Sequence, residues 1–151
     1  MSADIKRALF QKCLDYVDKR IVIARSSMDA AQSAANDESK SSAGDKYETG
    51  RAMMQIQRDQ FASQLSEALK LKQVMDQIKP DSSSQGIVLG SLVFTDKGNY
   101  YISVSVGKLE VDSIEYFAIS PVSPIGKELM NKKAGEKIAF NGKESVILNV
   151  F

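Results

Sequence analysis

The feature that most constrains this chain is a run of apolar and small residues at Phe10, Leu14, Val17, Ile21, Ala24, Met28, Ala31 and Ala35. The steps alternate between four and three residues, which is the seam of a helix packed lengthwise on another helix. Along the run the seam shrinks from Phe, Leu and Ile to Ala and Ala, so the pair is expected to be slender towards residue 36.

A second segment repeats the spacing less regularly at Met54, Phe61, Leu65, Ala68, Met75 and Ile78. Arg58 and Lys72 occupy two of its seam positions, and Leu69 and Leu71 widen the apolar face. Pro80 ends the helical pattern, and residues 81–86, DSSSQG, read as a polar linker. Folded back on one another, the two segments predict an antiparallel coiled-coil hairpin over residues 1–80. Each helix of roughly 35 residues would be about 50 Å long at about 1.5 Å per residue. An oligomerising coiled coil with no reaching role is the alternative that spacing alone leaves open.

After Gly86 the period changes from helical to alternating. Ile87 to Thr95 reads as a strand, Asp96 to Asn99 as a turn, Tyr100 to Val106 as its partner, and Ile114 to Ile119 as a further strand. Ser123 followed by Pro124 opens a short helix to about Met130, and Asn141-Gly142 joins strands Lys137 to Phe140 and Glu144 to Val150. The expected fold class is α+β, with a small antiparallel β domain over residues 87–151. Tyr100, Tyr101, Tyr116 and Phe117 fall in adjacent pairs on strands, so one of each pair should face the core; an aromatic ligand floor is the sharper alternative.

Composition excludes several chemistries. The chain of 151 residues has no histidine and one cysteine, Cys13, which removes Ser-His and Cys-His nucleophilic pairs and tetrahedral Cys/His zinc sites. Cys13 reads as a half-buried structural thiol in a reducing compartment. The formal net charge is +1, too balanced for a protein that holds nucleic acid chiefly by neutralising phosphates. No apolar run approaches the ~20 residues of a spanning helix, and the N-terminus lacks the apolar core of a signal peptide, so a cytosolic protein without membrane contact is expected.

Charge concentrates instead between the helical segments, in Asn36 to Arg51, NDESKSSAGDKYETGR. Turn and cap formers place the end of one helix and the start of the next inside it. Asp37, Glu38, Asp45 and Glu48 make this junction acidic. With a second helix starting near Gly44, Asp45 and Glu48 lie three apart on its first turn, where both could face one cation. The same spacing is a variant of the capping box, and carboxylates are favoured there by about 0.3–1 kcal/mol. Asp37 and Glu38 instead meet the negative end of the first helix dipole. Two carboxylates do not by themselves make a tight Mg²⁺ site, which also takes waters and phosphate oxygens. Lys40, Lys46, Arg51 and Arg58 are the basic residues that could meet RNA near this junction.

The order helical hairpin, acidic tip, linker, small β domain resembles the Gre transcript-cleavage factor family over nearly the whole chain. The most specific stretch is Ile119 to Ile138, ISPVSPIGKELMNKKAGEKI, which is similar to the family's C-terminal signature. Gly44-Asp45-Lys46-Tyr47-Glu48-Thr49 is similar to its Gly-Asp-x-x-Glu-Asn stretch, with Thr49 in place of Asn. The resemblance implies a monomer whose FKBP-like C-terminal domain docks on bacterial RNA polymerase while the coiled coil enters the secondary channel. Docking candidates are Ser123, Pro124, Ile125 and Lys127. Asp45 and Glu48 would then share a catalytic Mg²⁺ with polymerase and activate water to cut backtracked RNA, with no sequence-specific DNA binding and no enzyme activity of the chain alone. Aligning instead on Tyr47 and Arg51 makes Asp37 and Glu38 the nearest acids. A related alternative is a channel-binding regulator that does not cut RNA.

Overall fold

A computed structural model describes residues 2–38 and 44–151, with side chains outside 38 and 44–48. Two long helices come first, α1 (Ser2–Glu38) and α2 (Gly44–Asp76). Neither proline nor glycine interrupts α1, and α2 closes four residues before Pro80. The strands follow: β1 (Leu92–Thr95), β2 (Gly98–Ile102), β3 (Gly107–Val111) and β4 (Ile114–Ile119). A short helix α3 (Pro124–Leu129) then precedes β5 (Lys137–Phe140) and β6 (Lys143–Val150). Among the described residues no helix is long and apolar enough to cross a membrane.

The chain forms two compact units, and the N-terminal helix contributes to both. One unit joins the residues up to Tyr16 with Gln73–Phe151; the other is Val17–Lys72.

In the first unit the six strands form one sheet in the order β3-β4-β2-β1-β6-β5. The expected antiparallel domain is corrected here to a mixed sheet, because β2 and β4 run parallel, Tyr100 opposite Phe117 and Ile102 opposite Ile119. The chain leaves β2, forms the edge strand β3, and returns through a hairpin to lay β4 beside β2. The β1–β6 ladder carries a register shift at Phe94/Thr95.

Alternation along the strands gives the sheet two buried faces. On one, Val93, Ile102, Ile138 and Ile147 pack with Ile87 and with Leu129 of α3. On the other, Leu92, Tyr101, Tyr116 and Ala118 are at most 1% exposed. This second face meets the base of the helices: Cys13 Sγ lies 3.5 Å from Ser103 Oγ, and Gly90 sits so close to Ile78 that an added Cβ would lie 3.1 Å from its Cγ2. In the first turns of α1 the fully buried residues are therefore Leu9 and Cys13, one position before the expected Phe10 and Leu14, which are half-buried. These turns belong to the sheet-bearing unit, where Cys13 meets Ser103, and their buried stripe is offset from the expected one. Cys13 is accordingly fully buried, and burial pushes its thiol pKa up.

Segment 81–86 is tied to the same base. Lys6, 4% exposed, donates from Nζ to the Ser82 carbonyl at 2.5 Å, and Arg7 Nε meets Asp81 Oδ1 at 2.8 Å. Burial lowers the Lys6 pKa, and Asp81 opposes that shift.

In the second unit, Ile21, Ala24, Ala31 and Ala35 of α1 and Ala68 of α2 are buried. The two polar seam residues of α2 find partners on α1: Lys72 Nζ meets Asp18 Oδ1 at 2.7 Å, and Arg58 Nη1 donates to Gln32 Oε1 at 3.0 Å. The contacts are fourteen residues apart on each helix and run in opposite chain order. A polar seam position costs little when its hydrogen bonds are met in this way.

Candidate functional site

The acidic junction is bounded by the end of α1 at Glu38 and the start of α2 at Gly44. Asp37 is exposed in the last turn of α1, which contains no basic residue to balance the helix dipole. The side chains of Glu38, Lys40, Asp45, Lys46 and Glu48 lie outside the described residues; the backbone of α2 puts Asp45 and Glu48 at its second and fifth positions. Positions in the first turns of a helix favour carboxylates through the backbone dipole.

The basic candidates on α2 divide. Arg51 is exposed. Arg58 is half-buried, bridging to Gln32 and meeting Asp59 Oδ1 at 3.0 Å. An arginine held by two partners serves the helix pair first. Beside it, Ser27, Ala30, Ala31 and Ala34 of α1 with Met54 and Phe61 of α2 line a shallow depression of about 290 Å³.

At the other candidate surface, α3 is fixed by its cap. Ser123 Oγ accepts from Gly126 N at 3.1 Å and donates to Ser120 O at 2.6 Å, while Pro124 occupies the first turn. This agrees with the sequence expectation of Ser123 as N-cap. Pro124 and Lys127 are exposed, Ser123 is partly so, and Ile125 turns inward against the core. The four docking candidates therefore share one short element, with Pro124 and Lys127 as its outward members.

Sequence reasoning missed a cleft of about 290 Å³ between α3 and the outer strands. Its floor is Tyr100, Ile125, Ile138 and Phe140; Lys97, Asn141 and Lys143 stand around it. The β5–β6 turn sets this arrangement. Asn141 and Gly142 have φ of 53° and 74°, the two positive values of a type I′ hairpin, so Phe140 pairs directly with Lys143 on one face. Only the Asn-Gly signal was visible in sequence, because the walls come from three separated stretches, 97–100, 125 and 138–145.

The turn carrying Lys97 is clamped. Asp96 Oδ1 accepts from Val146 N and from Ser145 Oγ, both at 2.8 Å, and Thr95 Oγ1 accepts from Gly98 N at 3.0 Å. Those donors hold the Asp96 pKa below the usual carboxylate range. A carboxyl whose folded pKa is depressed adds stability above its unfolded value, near pH 4, and loses it as pH falls through the folded one. Asp96→Asn is expected to flatten the acid limb of the stability profile below about pH 4, and to lower the melting temperature at pH 7. Thermal melts of both proteins across that range check it; identical acid limbs would contradict the clamp.

Of the expected aromatic pairs, Tyr101 and Tyr116 are fully buried, whereas Phe117 is 38% exposed and Tyr100 half-buried. Their rings, Tyr100 and Phe117, lie 6.1 Å apart on neighbouring strands.

No protein-family model matches this chain, and a search of curated proteins finds no match.

Proposed function

We propose that the chain is a Gre-like accessory protein of bacterial RNA polymerase, which enters the secondary channel with its helix pair and stimulates Mg²⁺-dependent cleavage of backtracked RNA. The observation that carries this reading is the short junction between two helices of 37 and 33 residues, flanked by Asp37 on one side and by Asp45 and Glu48 on the other. Support also comes from the alanine seam, since small residues at 24, 31 and 35 permit close helix packing and hence a thin hairpin. The six-stranded mixed sheet with α3 on one face is in keeping with the FKBP-like domain that the resemblance implies. Ser123, Pro124, Ile125 and Lys127 are the docking candidates on it.

In this reading the chain is no enzyme alone. Polymerase holds the Mg²⁺ and the RNA; Asp45 and Glu48 complete the coordination and orient the attacking water. The chain's contact with nascent RNA is indirect.

The test is RNA cleavage by stalled, backtracked elongation complexes with and without the protein. Shortened 3′ ends that resume extension are expected, and Asp45→Ala or Glu48→Ala should lower the cleavage rate by about 10²-fold or more while polymerase binding is kept. Cleavage retained in both single variants would remove these acids from the mechanism. Thr49, standing where the family stretch has Asn, favours a second reading, a channel regulator that binds polymerase without cutting; binding with no shortening in the same assay would select it.

A further inference from the structure

The cleft between α3 and the β5–β6 hairpin has no part in that reading. We propose that it is a binding site for a small carboxylate with an aromatic or branched apolar body. Three observations carry this. The floor is apolar and drawn from three directions, Ile125 of α3, Ile138 and Phe140 of β5, and Tyr100 of β2, so a ring would be enclosed on several sides instead of resting on a flat face. The volume of about 290 Å³ lies just below the range for clefts that take drug-sized ligands, roughly 300–1,000 Å³, and so suits a small one. Its charge has one sign: Lys97 and Lys143 line it, and among the described residues no carboxylate lies within ion-pair distance of either ammonium group.

Asp96, next to Lys97 in sequence and attracted by its charge, has its hydrogen bonds elsewhere. It takes the Val146 N–H and the Ser145 hydroxyl, which fixes the turn that presents Lys97. On the opposite wall the type I′ turn holds Lys143 directly across from Phe140. Both cations are thus carried on constrained backbone beside the apolar floor. An apolar body enters for its buried area, and a carboxylate at its mouth selects it over a neutral analogue by charge-assisted hydrogen bonds from two lysines.

The test uses the full chain with 3-phenylpropanoate as probe and 3-phenylpropanol as its neutral counterpart, read by amide chemical shifts. The carboxylate is expected to shift Ile125, Ile138 and Phe140 saturably, with a Kd on the order of 1 mM for a ligand of this size. The alcohol should bind about fivefold or more weakly, as should the carboxylate to the Lys97→Gln, Lys143→Gln double variant. Both lysines are exposed, so the variant should keep its fold, which the remaining amide shifts verify. Added salt should weaken the carboxylate and leave the alcohol unchanged. Equal binding of acid and alcohol, full affinity in the double variant, or no shift at these amides at about ten times that concentration would each overturn the proposal. The outcome does not depend on polymerase, so it stands or falls apart from the cleavage assay.

Discussion

Replacing Gly126 with alanine is expected to destabilise the sheet-bearing unit by about 3 kcal/mol, more than any cap mutation nearby. A Cβ at this position would sit 2.1 Å from the Ser120 carbonyl oxygen, 2.8 Å from Ser123 Oγ and 3.1 Å from the Pro121 carbonyl carbon. Two of these atoms are backbone, and Ser120 O is also held by the Ser123 hydroxyl. Relief therefore requires moving the whole turn that starts α3. Helix propensity alone argues the opposite sign, since alanine is favoured over glycine by about 0.8–1 kcal/mol inside a helix. Steric overlap, at about 1–3 kcal/mol, together with a broken cap worth about 0.5–2 kcal/mol, outweighs that gain. Urea unfolding of Gly126→Ala beside Ser123→Ala separates the terms. The serine variant should lose about 1 kcal/mol and the glycine variant roughly three times as much. A Gly126→Ala protein as stable as the parent would show that the turn yields easily.

The second large effect concerns the first sixteen residues. A fragment comprising residues 73–151 is expected not to fold cooperatively, although it contains every strand of the sheet. Without the start of α1, the face bearing Leu92, Tyr101 and Tyr116 loses its cover at Cys13 and Leu9. Exposing three large side chains costs about 1.5–3 kcal/mol each. That sum approaches the whole stability of a small domain, about 5–15 kcal/mol. The complementary protein, residues 1–16 joined to 73–151 by a short Gly/Ser loop, is expected to fold. Asp18 and Lys72, 2.7 Å apart, indicate that the cut ends lie within reach of such a loop. Far-ultraviolet circular dichroism and urea transitions distinguish the two. A cooperative transition in the 73–151 fragment would mean that the sheet is self-sufficient.

What could be read in the sequence was what local chemistry decides. Ser123-Pro124 marks a helix start wherever it falls, Asn141-Gly142 marks a hairpin by its tolerance of positive φ, and Ile114 to Ile119 is rich in the aromatic and β-branched residues of a strand. Strand β3 escaped notice because its hairpin to β4 is turned by Asp112 and Ser113, with φ of 52° and 66°. That is a tight turn without the glycine that usually announces one. The strand expected from Ile87 begins only at Leu92, since Gly90 takes a φ of 92° against Ile78. Pairing of β2 with β4 was illegible because a parallel neighbour is chosen by the path of the intervening chain, which leaves no local mark. Leu9 and Cys13 were passed over for Phe10 and Leu14 because a four-three pattern names a stripe without naming its partner. Among the candidate residues, the α3 cap was legible for the same reason as the helix it starts. The cleft was not, because residues 97, 100, 125, 138, 140 and 143 converge only once the sheet has closed.

That closure has a consequence for how the protein is made. Strand β1 lies between β2 and β6, and β6 is the last of the six strands in chain order. Until β6 has been made, at about 5–20 residues per second, β1 lacks one of its two neighbours and the face that Leu9 and Cys13 cover belongs to an incomplete sheet. The Val17–Lys72 helices, contiguous in sequence, can pair during that interval. Synthesis of β6 is then the event that completes the sheet, and until it happens Leu9 and Cys13, made long before it, have no finished sheet to pack against.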